Sequence, residues 1–194
     1  MDVRYGNVTD PGSIPQAIAE DCRAIFFTVA ATGGIDGRGL FGSQAMIREV
    51  TYQGLANVMK AARSSGFSGR IILPSLAGLG RPSVMIRILD KVKPGLQRNL
   101  IERELLLRTS GYDYTIVRAP ILVNAPAGKA EIHIAKAIDK LTAGSKISRG
   151  DLARIMILAS EHGAASRKAF ELFSIKGEPP SDEQLVEELQ RIPR

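Results

Sequence analysis

Gly37, Gly39 and Gly42, in the run GRGLFG, spell G-x-G-x-x-G. With that spacing a strand-to-helix turn can hold a dinucleotide pyrophosphate on backbone N–H groups. The run follows an apolar strand pattern and precedes a helical one, which is the required context. Two details argue against a cradle. The segment ATGGID separates the strand from Gly37, so the turn is not tight. The next strand, RIILPSL, also ends without the acidic residue that would take a ribose hydroxyl. A flexible surface loop is the expected reading. If the loop does hold phosphate, the N–H groups at the start of the helix near Ser43 would do it.

Other reactive groups are sparse. His133 and His162 stand 29 positions apart with no cysteine partner or paired carboxylate motif, so no metal site is expected. Ser75 lies in PSLAG, which lacks the G-x-S-x-G elbow of a hydrolase nucleophile. Cys22, the single cysteine, follows Asp21 at the end of a helical pattern. Carboxylate neighbours and a helix C-terminus both disfavour a thiolate. One cysteine allows no internal disulfide, which fits a reducing cytosol and a cytoplasmic location.

These residues need a frame to position them. Apolar strand candidates are Val3–Tyr5, Ala24–Ala30, Arg70–Ser75, Tyr114–Arg118 and Phe170–Ile175. Helical patterns separate most of them. Ser13 and Gln16 read as a capping box, with Pro15 in the first turn. A long helix is predicted from about Ser43 to Ser65, with Gly66 as its stop, because Met46, Ile47, Val50, Leu55, Val58, Met59 and Ala62 recur mostly at helical spacing. Further helices are predicted over about Leu96–Thr109, Asp151–Glu161 and Ser181–Gln190, the last with a capping box of Ser181 and Gln184. Short strands alternating with helices imply an α/β fold with a mostly parallel sheet flanked by helices. Such sheets bind ligands at the carboxyl ends of their strands, which directs attention to the loops after Ala30, Ser75 and Arg118. The whole chain, residues 1–194, reads as a single domain, with 177–194 as a linker and terminal helix.

A chain of 194 residues with 44% hydrophobic and 24% charged residues can bury a sizeable core. Its longest apolar run, about Ala24 to Ala31, is far too short to span a membrane. The net charge of +6 favours anionic partners. Arg81, Arg87, Lys91, Lys93, Arg98, Arg103 and Arg108 concentrate basic charge in one stretch. A solvated helix face is the default reading of such a run. A cofactor phosphate, an acidic partner and nucleic acid are the alternatives. Nucleic acid is the weakest, because the stretch offers no aromatic for base stacking.

Three stretches, GNVTDPGSI, VTYQGLANVMKAARSSGFSGRIILPSLAG and ERELLLRTSGYDYTIVRAPIL, resemble the NAD(P)H-binding, NmrA-like branch of the atypical short-chain dehydrogenase/reductases. The resemblance runs from residue 2 to about 158. It implies a three-layer Rossmann-type fold, incomplete here, because the family's glycine-rich strand–helix–strand unit precedes the segment that VRYGNVTD matches. A fragment, a misassigned start and a shortened natural variant all fit that expectation. The implied cofactor is NADP or NAD. By position, Asn7 and Val8 match the pair beside the adenine, and Thr28, Ala30, Ala31 and Thr32 match the strand end along the ribose and nicotinamide. Ser75 matches the serine that faces substrate, the one catalytic candidate. Arg118, Pro120 and Ile121 match the loop flanking the nicotinamide, although Ala119 interrupts the usual Arg-Pro. The Tyr-x-x-x-Lys pair of better-known members is absent, since no tyrosine falls between Tyr52 and Tyr112, and the branch's lysine aligns with Leu100 or Glu102.

Two functions follow. One is an NAD(P)-binding oxidoreductase-type protein with weak or absent turnover. The other is a non-catalytic regulatory or interaction module. In the family, Val3–Tyr5 pairs with a strand that this sequence does not supply, so a bare sheet edge is expected to seek a partner. Either Val3–Tyr5 moves in beside Ala24–Ala30, or a strand from a second copy or another protein fills the gap.

Overall fold

The computed structural model describes residues 2–30, 43–81, 84–138, 142 and 144–193. Ala31, Thr32 and the run containing Gly37, Gly39 and Gly42 lie outside the described residues.

The described strands are β1 (Ala24–Phe26), β2 (Arg70–Leu76), β3 (Asp113–Ala119), β4 (Ile121–Val123), β5 (Glu131–Ala135), β6 (Lys146–Ser148) and β7 (Lys168–Ile175). The helices are α1 (Gln44–Arg48), α2 (Gly54–Ser64), α3 (Val84–Val92), α4 (Leu96–Arg108), α5 (Arg149–Glu161) and α6 (Asp182–Arg191). The sheet runs β1-β2-β3-β7-β6-β4, with β5 also paired to β7. Pairing is parallel from β1 through β7 and between β4 and β6, and antiparallel where β7 meets β5 and β6. The mostly parallel sheet expected from the alternating pattern is therefore present.

Both faces of the sheet are covered, which is why β2 carries a continuous apolar run. Ile71, Ile72 and Leu73 are all fully buried. Side chains alternate across a strand. Ile71 and Leu73 pack with Val58, Met59 and Ala62 of α2 and Leu107 of α4. Ile72 faces the opposite cluster, with Leu152, Ile155 and Met156 of α5 and Leu185 and Leu189 of α6. Three layers result. Lys168 Nζ donates to the carbonyls of Leu189 (2.7 Å) and Gln190 (3.2 Å), placing a cation at the negative end of α6.

The local signals were mostly obeyed. Ser43 caps α1 by accepting from Met46 N–H, and a π turn over Glu49–Gln53 joins α1 to α2, so the long predicted helix carries one wide turn inside it. Gly66 and Gly111 end α2 and α4 at φ of 70° and 84°, a region open to glycine at little cost. The Ser181–Gln184 capping box forms in both directions.

Several expectations are corrected. Val3–Tyr5 is not a strand; Val3 and Tyr5 are 62% and 85% exposed, and a lone three-residue segment without a neighbour cannot hold a ladder. Among the described residues it does not move in beside β1. The Ser13–Gln16 box does not form. Ser13 Oγ accepts from Asn7 N–H (2.8 Å) and donates to the Asp10 carbonyl (2.9 Å), while Asp10 caps a 3-10 turn over Pro11–Ser13 that is followed by another over Pro15–Ala17. β1 ends at Phe26 rather than Ala30. Strands β4, β5 and β6 and helix α3 were not anticipated.

Candidate functional site

Parallel pairing brings the carboxyl ends of β1, β2 and β3 to one edge. Ser75 and Arg118 are register partners there. Ser75 has the parity of Ile71 and Leu73, so both side chains lie on the α2 and α4 face. Helix α4 lays two buried charged residues over them. Arg103 Nη2 donates to the Pro74 carbonyl at 2.6 Å. Glu104 accepts from Arg118 Nε at 3.0 Å and from Arg118 Nη2 at 2.5 Å. The result is a polar layer of Ser75, Arg103, Glu104 and Arg118 inside an otherwise apolar face.

Among the described residues, two atoms in this layer are buried without a hydrogen-bond partner, Ser75 Oγ and Arg103 Nε. An orphaned buried polar atom costs free energy, so it marks either strain or a place for a ligand atom. Burial pulls the Arg103 guanidinium down to about 10, opposed by the neighbouring Glu104 charge, so it stays a cation at neutral pH. The Arg118 guanidinium is held above its ordinary value by its hydrogen bonds to Glu104, with burial opposing.

The other expected residues are dispersed around this edge. Thr28 and Ala30 lie just beyond β1 and are exposed; Thr28 N–H turns back to the Phe26 carbonyl at 3.0 Å. Asn7 Oδ1 is committed to Thr9, accepting from its N–H (3.0 Å) and its hydroxyl (2.9 Å). The Val8 carbonyl accepts from Asn57 Nδ2 of α2 at 2.9 Å, which fastens the N-terminal segment to that helix. Pro120 is buried, and Ile121 opens β4 by donating to the Ser145 carbonyl at 3.3 Å. Of the described members of the proposed set, only Ser75 and Arg118 are joined by strand register.

Sequence reasoning missed a second buried network. Glu171 of β7 is 1% exposed and is the register partner of Arg118. Its carboxylate accepts from Gly78 N–H (2.9 Å), Ile138 N–H (2.8 Å) and Arg81 Nη2 (2.5 Å). The turn after β2 and the segment after β5 are thereby pinned to one carboxylate. An acidic residue inside the apolar run KAFELFSI was the available signal.

The basic stretch does not form one face. Arg103 is buried, Arg98 pairs with Glu102 at 2.7 Å, and Arg81 and Arg108 turn toward a cavity beside β7. Neither position aligned with the family's lysine supplies a cation. Leu100 is buried, and Glu102 is held by Arg48 and Arg98. Arg103, one turn of α4 further on, brings the buried cation instead.

The fit to a nicotinamide dinucleotide rests on this edge. Ser75 Oγ offers an unused donor and acceptor, and the strand ends around it are those a Rossmann-type sheet presents to its cofactor. Comparison with known proteins agrees. A family model described as NAD(P)H-binding matches residues 1–162. Among solved structures, the fold is similar to a candidate NAD-dependent epimerase/dehydratase from Bacillus halodurans, with a TM-score of 0.70 at 16% identity over 94% of this chain and 75% of that one. It is also similar to the anaerobillin reductase ChuY from Escherichia coli O157:H7, with a TM-score of 0.62 at 22% identity over 90% of this chain and 76% of that one. A short-chain dehydrogenase/reductase from Veillonella parvula, solved in complex with NADP, gives a TM-score of 0.59 at 18% identity over 86% and 69% of the two chains. With the match spanning most of its length, the chain belongs to the NAD(P)H-binding family.

Proposed function

We propose that this protein binds NADPH or NADH at the carboxyl edge of β1, β2 and β3, with weak or absent oxidoreductase turnover. The carrying observation is Ser75 Oγ, buried and without a partner beside Arg118 at that edge. When bound, the cofactor would supply a hydride. Ser75 would hydrogen-bond the ligand, and Thr28, Ala30, Ala31, Thr32, Pro120 and Ile121 would line it, with Asn7 and Val8 toward the adenine. Arg103 would contribute a fixed positive charge. Its guanidinium does not release a proton near neutral pH, so it orients and stabilises charge and does no acid–base work. The Tyr-x-x-x-Lys pair is absent and Leu100 or Glu102 stands where the branch has its lysine, which is the reason to expect slow turnover. The test is titration of NADPH and NADH against the purified protein, following nicotinamide fluorescence. Saturable micromolar binding is expected. Absence of binding at millimolar cofactor would reject the reading.

A second reading, a scaffold acting through its sheet edge, has one observation in its favour. Among the described residues, no strand pairs with the outer side of β1, and Phe26 there is 40% exposed. A strand from a second copy or from another protein would satisfy those backbone groups. Sedimentation equilibrium separates the outcomes. A concentration-dependent dimer supports self-pairing, and a monomer throughout removes it. The chain as a whole, residues 1–194, is taken as one domain, since Leu185 and Leu189 of α6 sit in the same cluster as β7 and α5.

A further inference from the structure

A cavity of about 490 Å³ lies beside β7, beyond the Ser75 edge, and its lining is strongly cationic. Arg81, Arg108, Arg118, Lys136 and Arg167 all contribute to it, and Glu171 is the single acidic residue among the described lining. These cations come from five different parts of the chain: the turn after β2, the end of α4, β3, the segment after β5 and the turn before β7. Such convergence is not a by-product of one charged helix face.

The counter-charges do not balance it. Glu171 is occupied by Arg81 and by two backbone N–H groups. Glu104 is occupied by Arg118 and lies 4.0 Å from Arg108. Among the described residues, the Arg167 side chain reaches only the Gly111 carbonyl, at 3.5 Å, and Lys136 is exposed with no acidic partner. Among the described residues, two carboxylates therefore stand against five cations. A cleft lined by one sign of charge with low-dielectric walls concentrates counter-ions. Arginine adds a planar fork that matches carboxylate and phosphate oxygens.

We propose that this cavity is a binding site for a small molecule carrying several anionic groups, carboxylates or phosphates, adjoining the cofactor edge at Arg118 but holding its ligand on residues outside that edge. Its size suits a compact ligand rather than a polymer. Arg108, Lys136 and Arg167 make the ligand contacts, while Arg81 and Arg118 supply field from positions already fixed by Glu171 and Glu104.

The test uses the full chain without cofactor. Citrate and inorganic pyrophosphate are titrated by calorimetry at constant ionic strength, with acetate as the monoanion control. Saturable binding of either polyanion, and none of acetate, is expected; which polyanion binds tells carboxylate from phosphate. Lys136→Gln and Arg108→Gln, both at accessible positions, should each weaken binding by about tenfold, while thermal melts confirm that they fold. NADPH affinity should be unchanged in both variants. The proposal fails if neither polyanion binds at millimolar concentration, if the variants bind as tightly as the parent, or if NADPH displaces the bound polyanion. Because the readout needs no cofactor, failure here is distinguishable from failure of the NAD(P)H reading.

Discussion

Ser75 on β2 and Arg118 on β3 are paired in register at the carboxyl edge of the sheet, yet only Arg118 has its hydrogen bonds met. Arg118 is turned to Glu104 of α4, while Ser75 Oγ is buried and, among the described residues, has no hydrogen-bond partner. The pair therefore separates into a structural half and an available half.

That asymmetry sets opposite expectations for stability and ligand binding at Ser75. Truncating a buried hydroxyl that makes no hydrogen bond removes a desolvation cost and little else. Ser75→Ala should leave the melting midpoint unchanged or slightly raised, within about 1 kcal/mol, and should weaken NADPH binding several-fold. Urea melts and fluorescence titration on the same samples check both. A clear loss of stability with unaltered NADPH affinity would assign Ser75 to the fold instead.

Arg118 should behave in the reverse way. Glu104 is 4% exposed, so Arg118→Gln leaves a buried carboxylate with the longer contact to Arg108 and the nearby Arg103 charge in place of its close ion pair. Breaking one side of such a pair costs roughly 3 kcal/mol. Replacing both partners by apolar groups, Arg118→Met with Glu104→Leu, should recover much of that loss. Chemical denaturation of the two variants and the parent measures it.

The frame of this site was legible from local pattern. Ile71, Ile72 and Leu73 read as part of an apolar strand, and Ser181 with Gln184 read as a helix start, because each signal depends on neighbours a few residues away. What was illegible depends on long-range pairing. Val3–Tyr5 has strand-like residues, but its state is decided by whether a partner strand lies beside it. Lys146–Ser148 looks like loop, yet it becomes β6 because Ile121–Val123 arrives next to it. At the site, Ser75 was visible as a strand-end serine, whereas Arg103 and Glu104 were hidden in a run of ordinary helix charges. Only the packing of α4 against β2 and β3 turns those two inward.

Asp113 makes acid stability testable. Burial raises its pKa, but the hydrogen bonds from Arg70 Nε (2.8 Å) and Ser166 Oγ (2.8 Å), the Arg70 charge and the Arg167 N–H together prevail and lower it. A carboxyl whose folded pKa lies below its unfolded value adds stability above the unfolded pKa. That stability is lost as pH falls below about 4 and through the depressed folded value. Asp113→Asn should cost about 1 kcal/mol at neutral pH, since the group is partly solvated, and the cost should shrink as pH falls below about 4. Urea midpoints of parent and variant, followed downward from neutral pH, should therefore converge.

Glu171 couples the interior to the cationic cavity, so one substitution should move stability and anion affinity in opposite directions. Its two oxygens accept from Gly78 N–H, Ile138 N–H and Arg81. In Glu171→Gln one acceptor becomes an NH2 donor facing another donor, and Arg81 loses its counter-charge. The fold should weaken by about 3 kcal/mol. The protein that remains folded gains one net positive charge in the cavity, so pyrophosphate should bind several-fold more tightly. Denaturation and calorimetry below the melting range read the two effects separately. Tighter binding that vanishes at high salt would confirm a field effect, because screening acts on the charge and leaves cavity shape alone.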